Sequence, residues 1–140
     1  MNKYLIYNYM WLKDNYKLIL LTLGIVLVID FVYLFMNKNM YSNIIDKNNI
    51  KLQYGLVAWL IIAFALTFFI LSNNNLTQTQ KIMYAFILGI CVNGIYNFTN
   101  MTFFSNWNHQ ILLVDTLWGG ILYAIVTFTV LYLRDTYKLF

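Results

Sequence analysis

Four apolar runs constrain this chain more than anything else in it: Leu18–Met36, Tyr54–Leu71, Ile82–Phe104 and Ile111–Leu133. A bilayer core about 30 Å thick takes roughly 20 residues per helical crossing, which matches each run. Lipid offers backbone N–H and C=O groups no partner, so a spanning segment must be a helix or part of a closed barrel. Barrel strands are about half as long and alternate in polarity, so the runs read as transmembrane helices. Composition agrees, with 61% of the 140 residues hydrophobic, 10% charged, no proline and a mean hydropathy of +0.64. Soluble domains carry about 25% charge, and disordered chains pair low hydrophobicity with high charge. Neither class fits. The expected fold class is all-α: an integral membrane four-helix bundle forming a single domain over residues 1–140.

The connections at 37–51, 72–81 and 105–110 are short and polar, which makes sequential helices antiparallel neighbours. Residues 1–17 mix Tyr4, Tyr7, Tyr9 and Trp11 with Lys3, Lys13 and Lys17. No small-residue cleavage site follows an apolar core, so this segment reads as a short interfacial piece and not as a signal peptide. Lys3, Lys13, Lys17, Lys81, Arg134 and Lys138 fall on one side of the membrane, and Lys38, Lys47 and Lys51 on the other. That bias favours both termini in the cytoplasm. The net charge of +4 is spread over both faces without a basic stripe, so the expected partner is membrane lipid and no nucleic acid, with a homo-oligomer also open. Cys91 is the single cysteine and forms no internal disulfide.

Polar residues inside the runs demand explanation, because an ionisable group in a spanning helix costs about 2.5–3.5 kcal/mol on insertion scales. Asp30 lies six residues before the end of the first run and Asp115 four residues into the fourth. At ~1.5 Å per residue these positions are about 9 and 6 Å below the same membrane face. Asn93, Asn97 and Asn100 sit at that level on the third run, and their i, i+4, i+7 spacing continues inward to Gly89. Gly admits close helix approach and Asn bridges by hydrogen bonds. No lysine or arginine lies within the runs to neutralise the two acids. The expected polar intramembrane cluster is Asp30, Asn93, Tyr96, Asn97, Asn100, Asp115 and Trp118, with Asp30, Asn97 and Asp115 facing one another.

The stretch Asn93 to Thr102, then Trp107, then Val114-Asp115-Thr116-Leu117-Trp118-Gly119 resembles the small bacterial membrane proteins grouped as domain of unknown function 2177. That family carries Tyr-Asp-x-Thr-Asn, a Trp-Pro turn and Val-Asp-x-x-Trp-Gly in its third and fourth helices. Asp30 with Tyr33, and Tyr41 in the following connection, also fit the family pattern. Asn97 stands where the family usually has Asp, and Asn108 replaces the proline after the Trp. The resemblance implies a four-helix membrane protein and brings no established activity.

Other chemistry is thin. His109 is the only histidine and a weak metal-ligand candidate, because transition-metal sites draw on more His or Cys than this chain has. No metal and no cofactor is expected. Trp11, Trp59, Trp107 and Trp118 read as interfacial belt or packing residues. Three functional readings follow: first, a small membrane-embedded binding or transport module whose polar pocket, toward the outer face, takes a proton, cation or lipid headgroup; second, a structural or assembly protein of a cellular or viral membrane, with the cluster as interhelical glue; third, a lipid-modifying enzyme with Asp30 and Asp115 as acid and base. The enzyme ranks last because no catalytic motif is present.

Overall fold

A computed structural model describes residues 3–42, 44 and 50–139, and the side chains from residue 10 onward. Four helices account for most of it: α1 (Lys3–Met36), α2 (Leu52–Leu66, continued by a π-helical turn Thr67–Leu71), α3 (Gln78–Phe103) and α4 (His109–Tyr137). Within these, Met10–Met36, Leu52–Leu71, Gln78–Phe103 and His109–Tyr137 are each long and apolar enough to cross a membrane. Their ends follow local chemistry. Thr77 and Gln80 form a reciprocal capping box that starts α3, and the Asn108 side chain accepts from Ile111 N at 2.9 Å to start α4. Lys138, with φ 48°, closes α4 in the left-handed region.

The N-terminal segment is not a separate element. No proline or glycine interrupts residues 3–23, so nothing ends the helix there and α1 runs straight through. Trp11, on this extension, packs edge-on against Phe64 and Phe68 of α2 with ring centroids 5.9 and 5.0 Å away. Lys81 also departs from the sequence reading. It is 4% exposed inside α3, and its Nζ donates to Leu71 O at 2.8 Å. The last carbonyls of a helix have no partner of their own, and Lys81 caps the end of α2.

Sequential helices run antiparallel. Gly89 of α3 meets Gly119 and Gly120 of α4, while Gln78 near the start of α3 donates to Asp135 near the end of α4 at 2.6 Å. Asp30 late in α1 meets Trp59 in α2, and Trp11 early in α1 meets Phe68 at the end of α2. The α3–α4 seam is the tightest, because a Cβ added at Gly89 would overlap the Gly119 backbone and one at Gly119 would overlap the Asn93 side chain. Val26, Leu66, Tyr123, Val126 and Val130 fill the centre. Phe31, Phe35, Phe69, Ile95, Phe98 and Leu117 point outward. An apolar exterior of this kind suits hydrocarbon. Both carboxylates of interest lie toward the end of the bundle that carries the α1–α2 and α3–α4 connections.

Candidate functional site

Each acid has an aromatic residue three positions later on the same helix face: Asp30 with Tyr33 on α1, and Asp115 with Trp118 on α4. The fold crosses these pairs. Trp118 Nε1 donates to Asp30 Oδ1 at 2.9 Å, so the aromatic of α4 serves the acid of α1. Tyr33 stacks on Trp118, centroids 4.1 Å apart and rings 7° from parallel, and its hydroxyl lies 3.1 Å from that of Tyr41. Tyr41, in the connection after α1, donates to Asp115 Oδ1 at 2.7 Å. The aromatic of α1 thereby reaches the acid of α4.

Two more helices complete the arrangement. Trp59 of α2 donates its Nε1 to Asp30 Oδ2 at 2.7 Å. Asn97 of α3 is fully buried, and its Nδ2 donates to Asp115 Oδ2 at 2.8 Å and to Asn93 O at 2.9 Å. Trp107 Nε1 donates to Asn97 Oδ1 at 3.1 Å, which fixes the orientation of the amide. Every carboxylate oxygen therefore holds one neutral donor, and the donors come from α2, α3, α4 and the connection after α1. Among the described residues the ion pair present is Arg134–Asp135 at 3.6 Å, at the opposite end of the bundle. Burial raises the Tyr41 hydroxyl well above the ordinary tyrosine value, and its bonds to Tyr33 and Asp115 add to that shift. Tyr41 is thus a hydrogen-bond donor and stays protonated.

The expected cluster divides. Asn97 and Asp115 are in direct contact, whereas Asp30 takes its hydrogen bonds from Trp59 and Trp118 and forms a second centre joined to the first through the Trp118–Tyr33 stack. Asn93 back-bonds to Gly89 O at 3.1 Å and fills the space beside Gly119, so its role is the seam. Tyr96 is 53% exposed and reaches the network only as an edge contact on Trp107, at 5.7 Å. Asn100 lines a groove of about 470 Å³ with Tyr96, Phe103, Phe104 and Trp107. His109 is exposed as the first residue of α4, and both Asp115 oxygens are occupied by Tyr41 and Asn97. No group of three His, Cys, Asp or Glu side chains gathers among the described residues.

The sequence reading missed Tyr33, Tyr41, Trp59 and Trp107 as members of the network. A signal existed. With no cation in the spans, two carboxylates need neutral donors, and an indole N–H inside a membrane needs an acceptor.

The family of predicted membrane proteins DUF2177 matches residues 15–132, a stretch that holds the second and third spans, most of the first and fourth, and every residue of the network. The chain belongs to the DUF2177 family. No curated protein and no solved structure matches it. DUF2177 is a family of predicted membrane proteins, and the four apolar helices of this chain fit a multi-pass membrane protein.

Proposed function

We propose that this DUF2177 protein is a small membrane-embedded binding or transport module for a positively charged ligand, a proton or a cationic group. One observation supports the reading: two carboxylates inside spanning helices are served, among the described residues, by neutral donors alone. A purely mechanical bridge works with amides, which need no ionisable group. Asp115 is also half-buried, on the side of the network nearest a connection. Both termini are assigned to the cytoplasm on the basic bias, which puts the network toward the outer face, and lipid is the medium around the outward aromatics.

A second reading has its own support. The network ties all four helices together, as a structural or assembly protein requires. Asp115→Asn separates the two. For a cation site the variant inserts and folds yet loses function, because an amide cannot ionise. Function is read in proteoliposomes as dissipation of an imposed proton or cation gradient. A variant matching wild type in both flux and detergent stability would leave the structural reading in place. A tag after Phe140 that labels from outside intact cells would reverse the orientation.

A further inference from the structure

Donor inventories separate the two carboxylates. An indole N–H and a carboxamide NH2 only donate, whereas a phenol donates or accepts. Asp30 meets an indole at each oxygen, from Trp118 and Trp59. A proton placed on either oxygen along these contacts points at an N–H. At Asp115 the donor-only partner, Asn97, takes Oδ2 and the phenol of Tyr41 takes Oδ1. Tyr41 has one proton and gives it to Asp115, so the 3.1 Å contact with Tyr33 is made by the Tyr33 proton. The order runs Tyr33 to Tyr41 to Asp115.

That order can reverse without moving a heavy atom. When a proton bonds to Asp115 Oδ1, the new O–H donates to Tyr41, Tyr41 turns its hydroxyl toward Tyr33, and Tyr33 turns its own away. The Asn97 bond to Oδ2 persists throughout.

From this geometry we infer that Asp115 is a proton-uptake site coupled to a reversible Tyr41–Tyr33 hydroxyl chain, while Asp30 remains a fixed acceptor. The inference rests on the cation-binding reading and names the ligand. One O–H bond forms at Asp115 and one breaks in hydronium. No electrons are transferred, and both tyrosines keep their own protons. Among the described residues, the titratable groups facing Asp115 are Tyr33 from α1 and Tyr41 from the connection. Asp30 lies across the Tyr33–Trp118 stack, α3 presents the non-titrating Asn97, and α4 carries its single histidine at its exposed start. Turning the chain changes the charge and hydrogen bonding beside Trp118, whose ring lies on Tyr33 and whose N–H is held by Asp30. Uptake at one centre is therefore felt at the other.

Infrared difference spectroscopy on the full chain in lipid vesicles, acidic minus neutral, tests this. The expected result is that, among the carboxylic-acid C=O bands raised by the aspartates, one component shifts in D2O, is lost in Asp115→Asn and changes frequency in Tyr41→Phe, which removes the acceptor. Trp59→Phe, which frees one Asp30 oxygen without touching Asp115, keeps the band. A spectrum in which no component is lost in Asp115→Asn, or in which that component is unmoved by Tyr41→Phe, overturns the inference. Sodium and tetramethylammonium, each added at fixed pH, distinguish the two levels of the argument. If either perturbs the Asp115 carboxylate stretch and acidification yields no Asp115 acid component, the cation-binding reading stands and the proton inference falls. If neither cations nor acidification changes the Asp115 bands, both fall.

Discussion

The Asp30 and Asp115 centres are both intramembrane carboxylates with a donor on each oxygen, yet they differ in what those donors can do. Two indoles hold Asp30 from opposite helices, and neither can accept a hydrogen bond. Asp115 has one amide and one phenol, and the phenol leads to a second phenol. The first arrangement admits one proton configuration and the second admits two. Geometry alone would rank the centres as equals. The identity of the donors separates a structural clamp from a centre that can change state.

The α3–α4 seam offers the strongest way to break the comparison, because it positions Asn97 against Asp115 and leaves the Asp30–Trp59 contact on the other side of the bundle. Gly89→Leu drives a side chain into the Gly119 backbone. Overpacking of this kind costs about 3 kcal/mol, measurable as lost unfolding free energy in detergent. A variant as stable as wild type would show that close approach is not what seats the amide.

The comparison is sharpest in the paired amides. Asp30→Asn sets an NH2 against an indole N–H, leaving a buried donor unsatisfied at about 2 kcal/mol. Asp115→Asn keeps its bonds by letting Tyr41 accept, so its stability stays within about 0.5 kcal/mol of wild type, below the average interhelical bond. Equal losses in thermal unfolding would remove the distinction. Tryptophan emission, with Trp59 and Trp118 both bonded to Asp30 and Trp118 stacked on Tyr33, should shift strongly in the first variant and only slightly in the second.

A smaller effect is expected at Trp107, which orients Asn97 from above. Trp107→Phe deletes one hydrogen bond while keeping an aromatic ring, for about 1 kcal/mol, and should loosen the Asp115 side of the network while leaving the Asp30 side intact. Hydrogen exchange at the α4 start and at α1 distinguishes the two.

Smallest at neutral pH is the Tyr41 term. Its folded-state value is raised, so the folded state binds this proton more tightly than the unfolded chain does. Its contribution is full below the ordinary tyrosine value near 10 and declines as pH rises from there toward the folded value. Wild type should lose stability above about pH 10 more steeply than Tyr41→Phe. Parallel alkaline curves would remove Tyr41 from the account.

Much of this was legible in the chain. Run length and the absence of a soluble composition led directly to four spanning helices, and the depth arithmetic placed both acids and the Asn stripe in one layer. The Asn97–Asp115 contact follows from that layer. The separation of Asp30 does not, because depth says nothing about rotation around a helix axis, and Asp30 is turned toward Trp59 and Trp118. Lys81 misled for a related reason. A lysine beside a polar connection reads as solvated, and only the position of the Leu71 carbonyl makes it a helix cap. The reach of α1 to Lys3 was missed because lysines and tyrosines suggested an interface, although no residue there stops a helix.

Sequence by itself determined that this chain forms spanning helices, because hydrocarbon leaves the backbone no other way to satisfy its hydrogen bonds. It also determined which residues are costly inside them. Tertiary structure alone decided who partners whom. The i, i+3 spacing puts Tyr33 with Asp30 and Trp118 with Asp115 on their own helices, but crossing those pairs requires α1 and α4 to pack at a particular rotation. That rotation, seen in the stack of Tyr33 of α1 on Trp118 of α4, gives the two carboxylates their different donors.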